Sequence, residues 1–152
     1  KIFKNMKNLD YTTGDLISPW ADVKMDVHNI PFPENTFDVV ICNHVLEHVD
    51  DSDTVMREFY RVMKPGGWGI FQVPIDLESK TTKEDKSIID PKERERLYWQ
   101  SDHLRLFGLD YPDKLRNAGF KVTESNFINQ IEKDLVFRYA LPKDEIIYLC
   151  EK

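Results

Sequence analysis

Phe37-Asp38-Val39-Val40-Ile41-Cys42 is the run on which the fold turns. It is short, β-branched and apolar at consecutive positions, the pattern of a strand covered on both faces inside a parallel sheet. Downstream, Asp50-Asp51-Ser52-Asp53 offers a helix N-cap and negative charge for a first turn. Val55, Phe59, Val62 and Met63 then recur at i, i+4, i+7 and i+8 as one apolar stripe, with Arg57, Glu58 and Arg61 off it. Lys64 falls in the predicted last turn, Pro65-Gly66-Gly67 stops the helix, and residues 68–73 read as a second buried strand. Strand, capped helix, Pro-Gly-Gly, strand is a βαβ unit, for which a right-handed crossover is expected.

Working outward, residues 9–16 and 21–27 are strand candidates by β-propensity, each with an aspartate near its end, and 29–35 is rich in turn formers. Residues 76–96 are highly charged, with helical character only from Pro91, and 76–110 reads as an insertion into the alternating pattern. Residues 111–118 form a short predicted helix closed by Gly119. Residues 120–127 and 145–150 are predicted to make an antiparallel closing pair connected through 135–142.

The 152 residues fit a single domain, 1–152. A net charge of −6 with scattered basic residues argues against a nucleic-acid backbone as partner. No apolar run reaches the length of a bilayer span, so no membrane partner is expected. Cys42 and Cys150 each end an apolar run and read as buried free thiols, which suits a reducing cytoplasm. The chain begins with lysine, residues 1–8 lack the pattern of a signal peptide, and the whole reads as a piece of something longer.

Immediately after the opening strand, His44-Val45-Leu46-Glu47-His48 has the His-x-x-Glu-His spacing of some zinc hydrolases. Such a site places both histidines on one long helix and recruits a further ligand. Here His44 follows a strand by two residues, the helix start is nearer Asp51, and His28 and His103 sit in no second ligand pattern. Two ligands do not hold zinc tightly, so the sequence assigns no metal and keeps a zinc metallohydrolase through His44, Glu47 and His48 as a remote alternative.

Gly14-Asp15-Leu16, Asp26-Val27-His28-Asn29-Ile30-Pro31-Phe32, residues 37–49 and Arg61-Val62-Met63-Lys64-Pro65-Gly66-Gly67, in this order and spacing, resemble the class I S-adenosylmethionine-dependent methyltransferases of the type 11 branch. The resemblance covers about a third of the chain, from Asp15 to Gly67. It implies an α/β, Rossmann-like, mostly parallel sheet with helices on both faces and an antiparallel C-terminal hairpin, the cofactor lying at the carboxyl ends of the strands.

By that resemblance Asp15 accepts hydrogen bonds from the ribose hydroxyls of S-adenosylmethionine, with Leu16 beside it. Asp26 takes the adenine amino group and the Val27 N–H a ring nitrogen, while Cys42, Asn43 and His44 line the sulfonium end. For Asp15 and Asp26 the alternative is an ordinary turn aspartate. His48 has two readings, a substrate contact or a turn-fixing residue. Gln100, Asp102, His103 and Arg105 fall where the family varies most and are either substrate-selecting residues or a polar turn anchoring the insertion. No catalytic base is assigned.

The family's first strand and glycine-rich loop have no counterpart in these residues, so the first central strand is expected to be missing from the sheet, exposing two edges that a second copy could cover in a homo-oligomer. Weak cofactor binding by this chain alone follows. The function implied is methyl transfer from S-adenosylmethionine to an unidentified small-molecule acceptor, with a non-catalytic methyltransferase-like binding or scaffolding module as the alternative.

Overall fold

The computed structural model describes Phe3 and residues 6–152; Lys1, Ile2, Lys4 and Asn5, part of the stretch read above for a signal peptide, lie outside the described residues. At its centre is the expected βαβ unit: β3 (Phe37–Asn43), α1 (Ser52–Val62) and β4 (Met63–Gln72), the two strands parallel. Asp51 caps α1, its Oδ1 accepting from Thr54 N at 3.0 Å and its Oδ2 from the Thr54 hydroxyl at 2.7 Å. The stripe Val55, Phe59, Val62 and Met63 is fully buried. The off-stripe charges also have a structural task. Arg61 donates to Ile30 O and Phe32 O and pairs with Glu58, whose Oε2 accepts from Ile30 N, so the Ile30-Pro31-Phe32 turn is clamped onto the helix.

The helix ends earlier than predicted. Met63 and Lys64 already belong to β4, which bulges through Pro65-Gly66-Gly67, so the register passes from Phe37 opposite Met63 to Val39 opposite Trp68. Gly66 sits at φ +79°, a conformation that side chains resist, and Lys64 pairs with Asp38 at 2.8 Å instead of capping the helix.

Around this unit lie β1 (Gly14–Asp15), β2 (Val23–Lys24), β5 (Lys83–Glu84), α2 (Pro91–Tyr98), β6 (Arg105–Leu106), α3 (Tyr111–Asn117), β7 (Lys121–Ser125), α4 (Lys133–Arg138) and β8 (Ile147–Glu151). β1 and β2 are much shorter than the predicted strands and pair in parallel as a sheet of their own. The segment 76–110 contains a small antiparallel pair, β5 with β6, and the helix α2 between them. The closing pair is antiparallel, as predicted, but its connection holds a 3-10 turn (Phe127–Gln130) and α4.

The main sheet has the order β3-β4-β8-β7, with β3–β4 parallel and β4–β8 and β8–β7 antiparallel. The expectation of a mostly parallel sheet is therefore corrected: among the described residues this sheet is mixed, and β3 is at its edge. Helices on both faces need the same correction. Alternation sends Val40, Cys42, Phe71, Tyr148 and Cys150 to one face, where α1 and α3 pack. There Phe59 stacks on Phe71 at 4.9 Å, and the Tyr111 hydroxyl donates to Phe71 O at 2.8 Å. Gly69 lies on the same face because a Cβ there would come within 2.5 Å of the Phe71 ring. The opposite face leaves Val39 38% and Ile41 52% exposed, with Trp68 exposed opposite Val39. The opening strand is thus covered on one face, not two.

Candidate functional site

β3 delivers the site. At its end the chain turns sharply at His44, a non-glycine residue at φ +56°, while the His44 N–H still donates to Gln72 O at 2.8 Å across to β4. Backbone held in this region by the surrounding structure is a feature of functional sites. His44 borders a cleft of about 440 Å³ at the carboxyl ends of β3 and β4, with Gln72, Ile75, Leu77, Ile146 and Tyr148 among its walls. Gln72 shapes it: its amide donates to Glu145 Oε1 and Ile146 O, and its Oε1 accepts from Tyr148 N. Sequence reasoning passed over Gln72 and Tyr148, although Gln72 stands at the carboxyl end of a predicted strand, a position where ligands gather in α/β sheets.

Asp15 ends β1 in a tight loop, its Oδ1 accepting from Ile17 N at 2.9 Å and Ser18 N at 2.7 Å. Asp26 accepts from His28 N and faces His28 Nδ1, again through Oδ1. These hydrogen bonds, led by the Ser18 N–H for Asp15 and the His28 N–H for Asp26, hold both carboxyls below the usual carboxylate range. Both acids are exposed, and all of these bonds fall on one oxygen, which suits a carboxylate whose second oxygen accepts from a ligand. Next to Asp15, Leu16, Ile17 and Trp20 are exposed apolar groups, Trp20 at 88%. Val27 is half-buried and packs against the core. His28 Nε2 in turn accepts from Asp51 N at 3.4 Å, tying this loop to the start of α1.

Cys42 is half-buried beneath the turn, and burial with the nearby Glu47 charge pushes its thiol up to about 12, so it stays protonated at neutral pH. Asn43 is exposed, its Oδ1 3.4 Å from Gln72 N. His44 places Nδ1 3.3 Å from Glu47 Oε1.

Behind His44 lies a polar cluster. Glu47 and His103 are each 1% exposed. The His48 ring meets the His103 ring edge-on at 4.8 Å and sets Nδ1 3.3 Å from Asp102 Oδ2. Sequence spacing left His103 without companions; the fold brings it to Glu47 and His48. Gln100 is exposed, and its carbonyl accepts from His103 N in a tight turn. Arg105 is placed as a brace, the anchoring reading of the polar turn. It is buried and donates to Leu46 O at 2.6 Å, Val49 O, Asp50 O at 3.1 Å and Glu84 Oε1 at 2.9 Å, pinning the 46–50 loop. Leu104 N adds a bond to Glu47 O at 2.8 Å. A 105-to-46 contact leaves no signal in local spacing.

The methyltransferase domain family profile matches residues 5–71. Over 50 residues the chain is 52% identical to a demethylmenaquinone methyltransferase of a Geobacillus species, 31% of this chain and 21% of that protein. The methyltransferase-domain match thus takes in β1, β2 and the βαβ unit up to Phe71, a little under half of this chain. Over 42 residues the chain is 48% identical to the ubiquinone/menaquinone biosynthesis C-methyltransferase UbiE of Desulfotalea psychrophila, 28% of this chain and 17% of that protein. The matches thus span about a fifth of these curated relatives. Among solved structures, the Burkholderia thailandensis 1,6-didemethyltoxoflavin-N1-methyltransferase superposes with a TM-score of 0.56 at 14% identity, covering 91% of this chain and 59% of that one. That likeness supports the methyltransferase-like α/β fold. No helix among the described residues is long and apolar enough to cross a membrane.

Proposed function

We propose that the protein transfers a methyl group from S-adenosylmethionine to a small-molecule acceptor. The observation that carries this reading is the cleft of about 440 Å³ at the carboxyl ends of β3 and β4, entered beside His44 within the family segment. Its size and its mixture of Ile75, Leu77 and Ile146 with Gln72 and Tyr148 suit a small organic molecule.

The residues present fit the cofactor. Asp15 would hold the ribose hydroxyls with Leu16 alongside, Asp26 and the Val27 N–H the adenine, and Cys42, Asn43 and His44 the sulfonium end. S-adenosylmethionine, when bound, supplies a methyl group on a sulfonium whose leaving group is a neutral thioether. The protein's part is then alignment more than acid–base chemistry. Asp15 and Asp26 stay ionised to accept hydrogen bonds, and Cys42 stays a thiol and offers no competing nucleophile. His44, exposed at the mouth and oriented through Nδ1 by Glu47, can take a proton at Nε2 from an acceptor that must lose one. His48 and Asp102, paired at 3.3 Å, and the exposed Gln100 are the substrate-side residues this reading retains.

Titration calorimetry of the full-length protein with S-adenosylmethionine and S-adenosylhomocysteine tests it. Saturable binding is expected, weakened about tenfold or more by Asp15→Ala and by Asp26→Ala, for the loss of charge-assisted hydrogen bonds. Binding without turnover on any quinol, phenol or amine acceptor would favour the non-catalytic module. No binding at all would overturn both.

A further inference from the structure

Glu47, His48 and His103 are held in a way that methyl transfer does not require. One ligand-capable atom of each lies within 4.8 Å of the others. His103 Nδ1 is 2.7 Å from the Tyr98 carbonyl, which can only accept, so Nδ1 carries the proton and Nε2 presents a lone pair. That Nε2 is buried with no hydrogen-bond partner among the described residues, and so is Glu47 Oε2. Leaving a buried acceptor unmatched is costly, and here two share one cluster. His48 repeats the arrangement: its Nδ1 faces the Asp102 carboxylate at 3.3 Å, which leaves Nε2 on the Glu47 side, 4.0 Å from Oε1.

We propose that Glu47, His48 and His103 bind a divalent transition-metal ion of the zinc class. Two imidazoles turned Nε2-inward by oxygen acceptors on Nδ1, with one carboxylate, are the ligand set and supporting shell that such ions take. Mg²⁺ and Ca²⁺ prefer oxygen shells and are poorly served by two ring nitrogens. The spacing is wider than the edge of about 3.3 Å that bonds of 2.0–2.1 Å give a tetrahedral ion. Binding must therefore draw the ligands together, and His48, whose side chain is 34% exposed, is the one free to move. Three protein ligands would leave a coordination position open for water or a further ligand. This set differs from the His44, Glu47 and His48 combination that the local spacing offers: His103, distant in sequence, takes the place of His44.

The test uses full-length protein stripped of metal with a chelator and titrated with Co²⁺, then with Zn²⁺. Expected are one equivalent of Co²⁺ with the visible absorption of four- or five-coordinate nitrogen and oxygen ligation, and its stoichiometric displacement by Zn²⁺. His48→Ala, a change at a partly exposed ring, should weaken binding at least tenfold with the circular dichroism spectrum unchanged. Asp102→Asn should weaken it several-fold, and His28→Ala should leave it as it was. No saturable binding by the unsubstituted protein overturns the proposal, since Glu47 and His103 would then satisfy each other through a shared proton. Binding by His48→Ala and His103→Gln as tight as by the unsubstituted protein overturns it too.

Discussion

Phe71, Tyr148 and Cys150 line one face of the β3-β4-β8-β7 sheet and are almost wholly buried, whereas Val39 and Ile41 of β3 and Trp68 of β4 stand exposed on the other. The two faces draw on similar residue types; what differs is the layer above them. α1 and α3 cover the first through Phe59, Val55, Tyr111 and Leu115, and the described residues leave the second largely uncovered. Apolar character in a strand shows that a face can be buried, and the neighbours determine whether it is.

The sharpest way to break this comparison is to truncate one residue on each face. Phe71→Ala on the covered face should lose about 3–5 kcal/mol in urea unfolding, from lost transfer energy plus the cavity left behind. Arg105→Met follows at about 2–3 kcal/mol, because the carbonyls of Leu46, Val49 and Asp50 lose their buried donor. Amide hydrogen exchange should rise across 46–50 and not in α3, which separates a loop brace from a general core defect.

Asp51→Ala removes the cap of the helix that covers the inner face and should cost about 1 kcal/mol. The same helix gives the sheet an acid sensitivity. Thr54 hydrogen bonds lower the Asp51 carboxyl and the Arg61 guanidinium lowers that of Glu58, so both contribute stability above the ordinary values of 3.8 and 4.5 that is lost as pH falls through the depressed folded-state values. Unfolding measured from pH 6 down to pH 2 should show this decline, flattened in an Asp51→Ala, Glu58→Gln double variant. At the small end, Ile41→Thr on the open face should change stability by no more than about 0.5 kcal/mol. A loss matching that of Phe71→Ala would show that the outer face is covered in solution.

The parts of the fold legible in the sequence are those with local causes. The apolar run 37–42, the Asp51 cap and the stripe from Val55 to Val62 all act within a few residues, and each appears in the structure. The end of α1 was misread because Met63 fits the helical stripe equally well as the first residue of a bulged strand. Of the candidate residues, Asp15, Asp26 and His44 could be proposed from motifs within one stretch of chain. Gln72, the Arg105 brace and the meeting of His103 with Glu47 could not, since each depends on where a separate segment returns.

Hydrophobic period, capping and turn chemistry are short-range, and so Phe37 to Gly67 carried in its own residues the βαβ unit, its helix start and part of the segment that matches the methyltransferase domain family. Partnership is long-range. The docking of α1 and α3 on one face, the return of β8 beside β4 and the seating of the 98–105 segment on the loop after β3 determined which apolar residues became core and which histidines came together, because burial and coordination depend on neighbours in space.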